Sequence, residues 1–94
     1  MELDKRVEMC MLLDFYGSLL TQKQKEIMHM YYEEDISLAE IGETINISRQ
    51  AVRDALKTSE NSLLDFESKL KFIDKHKLIK TEICDIINKL LYNI

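Results

Sequence analysis

Apolar residues recur along this chain at intervals of three and four, and polar capping residues stand where the recurrence breaks. The first stretch predicts a helix from about Leu3 to Tyr16, stopping at Gly17 as a left-handed C-cap. Between Val7 and Tyr16 only Glu8 and Asp14 are charged, so this helix needs cover on more than one side. Thr21-Gln-Lys-Gln24 has capping-box spacing and opens a second helix, Gln22 to about Tyr32, presenting Ile27, Met28, Met30 and Tyr31. An acidic link, Glu33-Glu34-Asp35, leads to a second box, Ser37-Leu-Ala-Glu40. That box opens a short helix with Leu38, Ile41 and Ile45 inward. Asn46, the non-glycine residue most tolerant of positive φ, ends it. Two residues later Ser48 caps a helix that begins Arg49-Gln50-Ala51-Val52.

This helix has the clearest periodicity. Ala51, Val52, Ala55, Leu56, Leu63, Phe66, Leu70 and Ile73 fall on one side. Val52, Leu56, Ser59, Leu63, Phe66, Leu70 and Ile73 also follow the four-three step of a coiled-coil seam, which predicts a helix continuing to about Ile73. Asp74-Lys-His-Lys77 reads as a break. A final amphipathic helix, about Leu78 to Tyr92, carries Ile79, Ile83, Ile86, Ile87, Leu90 and Leu91. With no proline and only two glycines in 94 residues, sheets and loop-rich folds are excluded, and the fold class is all-α. The chain reads as one helical domain over residues 1–94. Residues 1–62 form a helix-turn-helix core with an N-terminal helix, and residues 63–94 form a C-terminal helical extension. The apolar surplus of that extension, with help from the first helix, predicts a homodimer.

The segment Ser37 to Lys57 follows the helix-turn-helix plan: a capped short helix, a turn of a few residues and a second capped helix. Gly42 sits where the two helices approach, Asn46 makes the turn, and Val52 is the inward anchor of the second helix. The outward arc of that helix holds Arg49, Gln50, Arg53, Asp54 and Lys57. Arg49, Arg53 and Lys57 stand four residues apart in one basic stripe near the helix start, where a recognition helix meets base edges and phosphates. Arginine reads guanine and glutamine reads adenine, so with the capping Ser48 the candidate contact set is Ser48, Arg49, Gln50, Arg53 and Lys57. An ordinary solvated face is the competing reading, because Asp54 and Glu60 dilute the positive field.

Charge weighs against a strong non-specific DNA binder: the net charge is −4 and the pI near 5.1. Any phosphate contact must come from a local cluster. Cys10 and Cys84 lie far apart and read as free thiols in a reducing compartment. The N-terminus lacks a signal-peptide pattern and no apolar run approaches the roughly 18 residues of a membrane span, so the expectation is a cytoplasmic protein without membrane insertion. Catalysis is not expected. Glu33-Glu34-Asp35 reads as a solvated turn rather than a metal site. His29 and His76 have no nucleophile or third ligand at a usable spacing, and glycine-rich phosphate loops are missing. No cofactor and no metal are expected.

Four stretches together resemble the fourth region of bacterial sigma factors: Leu20-Thr-Gln-Lys-Gln-Lys-Glu-Ile27, Tyr31-Tyr32, Ser37-Leu-Ala-Glu-Ile-Gly42 and Asn46-Ile-Ser-Arg-Gln-Ala-Val52. The chain is most similar to the YlxM-type family of small helix-turn-helix proteins, to which Asp14-Phe-Tyr16 and Ser48-Arg-Gln-Ala-Val52 correspond. The resemblance covers about Leu3 to Leu70. Members of that family are encoded beside signal recognition particle GTPase genes, so it implies a role in that pathway. It also implies DNA contacts at Arg49, Gln50, Arg53 and Lys57. The sequence departs in having Arg53 where the family often has an aromatic, and Leu56-Lys57-Thr58 in place of a more basic run. Two functions are therefore expected as alternatives. One is a regulatory protein binding nucleic acid, DNA ahead of RNA. The other is a protein or ribonucleoprotein adaptor of the signal recognition particle system that uses the same fold.

Overall fold

Over residues 3–92, which this computed structural model describes, the chain forms α1 (Leu3–Tyr16), α2 (Gln22–Met28), α3 (Leu38–Ile45), α4 (Arg49–Leu70) and α5 (Phe72–Tyr92). N-cap side chains hold the starts of α2, α3 and α4. Gln24 N donates to Thr21 Oγ1 at 3.2 Å and Thr21 N donates to Gln24 Oε1 at 3.1 Å, a complete capping box. Glu40 N donates to Ser37 Oγ at 3.2 Å, the N-cap half of the second box, and Ala51 N to Ser48 Oγ at 3.0 Å. Asn46 ends α3 in the left-handed region, with φ 59° and ψ 49°.

Some boundaries differ from the sequence-based expectation. Gly17 is not a left-handed cap. The chain runs on through a 3₁₀ turn, Gly17–Leu19, closed by Leu20 N donating to Gly17 O at 3.1 Å. α2 stops at Met28 and widens into a π turn, His29–Glu33, with Glu34 N bonded to His29 O at 3.1 Å. The Tyr32 carbonyl accepts instead from Arg6 Nε at 2.8 Å and from the Cys10 thiol at 3.7 Å. Arg6 also pairs with Asp35 at 3.0 Å, and Asp35 takes a positive φ of 58°. The acidic link is thus tied to α1 by one arginine, while Glu33 and Glu34 face the ring nitrogens of His29.

The break between the last two helices falls at Lys71, not at Asp74–Lys77, so α4 ends before Ile73 and α5 begins before Leu78. Lys71 turns the chain with φ 55°. What lets α5 start there is side-chain satisfaction of its first N–H groups. Phe72 N donates to the Tyr16 hydroxyl at 3.1 Å, and Ile73 N donates to Glu67 Oε1 at 2.9 Å. Tyr16 in turn donates to Glu67 Oε1 at 2.6 Å. Burial, and then the Glu67 carboxylate, push the Tyr16 hydroxyl pKa upward.

The core gathers around α4, which α1, α2 and α3 all touch. Met9, Leu12, Leu13 and Tyr16 of α1 meet Ile27, Met28, Tyr32 and Ile41 over Val52, Leu56 and Leu63. Ser59, the polar member of the seam, is fully buried and donates to the Ala55 carbonyl at 2.7 Å. Ala51, expected inward, is exposed, because α4 turns Val52 rather than its neighbour into α3. Beyond about Lys77 the chain leaves this body. α5 contacts α1 through Phe72 stacked on Tyr16 and His76 edge-on to Phe15, and then projects, giving extents of 61 × 25 × 20 Å.

Candidate nucleic-acid interface

The orientation of α4 follows from its packing on α3. A Cβ at Gly42 would stand 2.6 Å from the Ile47 carbonyl oxygen and 3.5 Å from Arg49 N, so only glycine lets the turn lie this close. Ile47 N donates to Gly42 O at 2.9 Å, sealing the turn after left-handed Asn46. Ile41 and Val52 are fully buried between the helices. With Val52 inward, the opposite arc of α4 must face solvent, and Arg49, Gln50, Arg53 and Lys57 are all exposed there.

Among the described residues no carboxylate lies within ion-pair distance of Arg49, Arg53 or Lys57, so these three charges are available to an outside anion. Ser48 is committed as a cap through its oxygen, and its hydroxyl proton remains free to donate. Gln50 is less available: its Nε2 donates to Asp54 Oδ1 at 3.0 Å. Reading adenine needs an amide donor and the carbonyl; the bond to Asp54 takes up one of the two amide hydrogens and fixes where the side chain points. Leu38, Arg49, Gln50 and Arg53 line one depression.

A cleft of about 460 Å³ adjoins it, lined by Lys5, Tyr31, Tyr32, Leu38, Arg53, Leu56, Lys57 and Glu60. Sequence reasoning missed Lys5 and Tyr31 here. No local signal marks them, because only the packing of α1 and the π turn over α4 brings them beside Lys57. Lys5 Nζ lies 4.0 Å from Glu60 Oε1, to which the Tyr32 hydroxyl also donates. Burial, followed by that carboxylate, pushes the Tyr32 pKa up. Among the described residues no three His, Cys, Asp or Glu side chains are grouped to hold a metal, and no helix is long and apolar enough to cross a membrane.

Comparison with known proteins adds the family. Residues 3–93 match the model of UPF0122, described as "Putative helix-turn-helix protein, YlxM / p13 like". A UPF0122 protein of Clostridium botulinum (strain Alaska E43 / Type E3) is 49% identical over 73 residues, covering 78% of this chain and 67% of the relative. One from Clostridium acetobutylicum is 43% identical over 88 residues, covering 94% and 76%. One from Caldanaerobacter subterraneus subsp. tengcongensis is 56% identical over 69 residues, covering 73% of this chain and 59% of the relative.

Proposed function

Because the chain belongs to the UPF0122 family of YlxM / p13-like helix-turn-helix proteins, we propose that it is a non-enzymatic, cytoplasmic regulatory protein that binds nucleic acid, DNA ahead of RNA. Ser48, Arg49, Gln50, Arg53 and Lys57 make the contact. The observation that carries this reading is the unpaired basic face of α4, with Arg49, Arg53 and Lys57 exposed on the helix that the turn presents to solvent. Lys5 of α1, paired with Glu60, lines the adjoining cleft. The protein works as a homodimer, which sets two such faces at a fixed separation for a symmetric target. Leu63 and Ile73 are buried within their own chain. Most of the exposed large apolar residues, from Phe72 to Leu91, stand on α5, and the dimer surface is placed there.

The test is binding to a labelled duplex as salt is raised. Each phosphate contact releases counterions, so the affinity falls steeply with salt. Arg49→Ala and Arg53→Ala should each weaken binding and lower the log–log salt slope by about 1 while leaving the unfolding curve in place. Unchanged affinity in both variants overturns the reading. The net charge of −4 and the engagement of Gln50 by Asp54 favour a second reading, an adaptor of the signal recognition particle system that uses this face for a protein or ribonucleoprotein. Capture of particle components from extract that survives deoxyribonuclease and is weakened by Arg49→Ala, with no binding to the labelled duplex, would select it.

A further inference from the structure

Beyond His76 the apolar positions of α5 form a second seam that the other described elements leave exposed. Starting α5 at Phe72 rather than Leu78 makes its register visible: Phe72, His76, Ile79, Ile83, Ile86 and Leu90 follow an unbroken four-three step. The first two of these are used within the chain, Phe72 against Tyr16 and His76 against Phe15. The remaining four are about half exposed or more, at 55%, 51%, 58% and 63%. Ile87, beside the seam, is 49% exposed. An apolar ridge of this length on a solvated helix calls for a partner.

Resting on the homodimer reading, we infer that this ridge pairs with the same ridge of a second copy, antiparallel and centred between Cys84 and Asp85. In that register Ile79 faces the partner's Leu90 and Ile83 faces the partner's Ile86, and the two-fold axis repeats both layers. The flanking positions select the direction. Antiparallel pairing sets Glu82 beside the partner's Lys89, twice over, and lays the aliphatic stem of Lys80 along the partner's Ile87. Parallel pairing would instead set Lys75 beside the partner's Lys80, a like-charge contact, and leave Glu82 beside the partner's Ile87. Parallel pairing would also crowd both bodies at the Phe72 end, where α1 already covers the seam. Antiparallel pairing uses only the free part of the ridge and keeps the two bodies apart.

Sedimentation of the full chain tests this. The wild type should run at twice the 11.1 kDa chain mass at micromolar concentration. Ile83→Asp, at a half-exposed position of the ridge, should run at the single-chain mass with its α-helical core unfolding as before. Glu82→Lys and Lys89→Glu should each weaken the dimer roughly tenfold, through two ion pairs turned to repulsion. The double variant should recover wild-type affinity, because 82 and 89 face each other only across an antiparallel pair. A monomeric wild type overturns the homodimer reading and the pairing with it. A dimer that survives Ile83→Asp overturns the α5 interface while leaving the dimer standing. A double variant no better than either single one overturns the antiparallel register.

Discussion

The α3–α4 unit and α5 are built from the same kind of amphipathic sequence, yet they meet different fates. In the first, Ile41, Val52 and Leu63 are fully buried, and Gly42 lets backbone approach backbone. In the second, Ile79, Ile83, Ile86 and Leu90 repeat as regularly and remain exposed. Periodicity tells which face of a helix is apolar. It does not tell what covers that face, because cover depends on where the neighbouring elements are and not on the helix itself.

The sharpest way to break this contrast is to truncate one residue on each side of it. Leu63→Ala removes a fully buried side chain and should cost about 2–5 kcal/mol in a urea unfolding experiment. Ile83→Ala, on the uncovered ridge, should stay within about 0.5 kcal/mol when measured at concentrations where the chain is single. Equal losses at the two positions would show that α5 is packed on its own body. Gly42→Leu should cost on the order of 1–3 kcal/mol by overpacking, since its Cβ meets a backbone carbonyl that cannot swing aside. Gly17→Ala is the internal control: its Cβ would meet only the Lys25 and Leu13 side chains at ordinary distances of 3.8 and 3.9 Å, so stability should hold.

The elbow between the two regions should respond to pH. Tyr16 is held neutral by burial and by Glu67, so its folded pKa lies above the unfolded value near 10. Its contribution is complete below that value and is lost as pH rises through the folded one. Tyr32, raised in the same direction, adds to the same alkaline loss. Tyr16→Phe should lower the urea midpoint at pH 8 and show a smaller further drop above pH 10 than the wild type. An identical alkaline drop in the variant would assign the whole effect to other groups. A modest loss belongs to the turn cap: Ser48→Ala should cost about 1 kcal/mol through the lost bond to Ala51 N. Weakened nucleic-acid binding beyond that loss of stability would show that the hydroxyl also touches the ligand.

The fold was legible to the extent that its instructions are local. Thr21, Ser37 and Ser48 cap neighbours three residues on, and Asn46 tolerates a left-handed backbone by its own chemistry. The outward arc of α4 was legible for a related reason, since an apolar anchor at Val52 dictates where residues 49, 53 and 57 must point. The π turn and the elbow were not legible. The first is held by Arg6 on α1, 26 residues from Tyr32, and the second by Tyr16, 56 residues from Phe72, acting with the nearby Glu67.

By itself, then, the sequence determined that this chain is all-helical, that a helix-turn-helix lies between Ser37 and Lys57, and that a basic stripe lies opposite its buried face. The caps at Thr21, Ser37 and Ser48 and the turn at Asn46 act within a few residues and need no distant partner. Only the tertiary structure decided where α4 stops, that Lys5 of α1 lies beside Lys57, and that the seam of α4 is buried as far as Leu63 while the seam of α5 is left exposed. Those outcomes depend on which side chains a fold brings together across the chain. The hydrogen bonds of Tyr16 and Glu67 that place the elbow exist only once α1 has packed on α4.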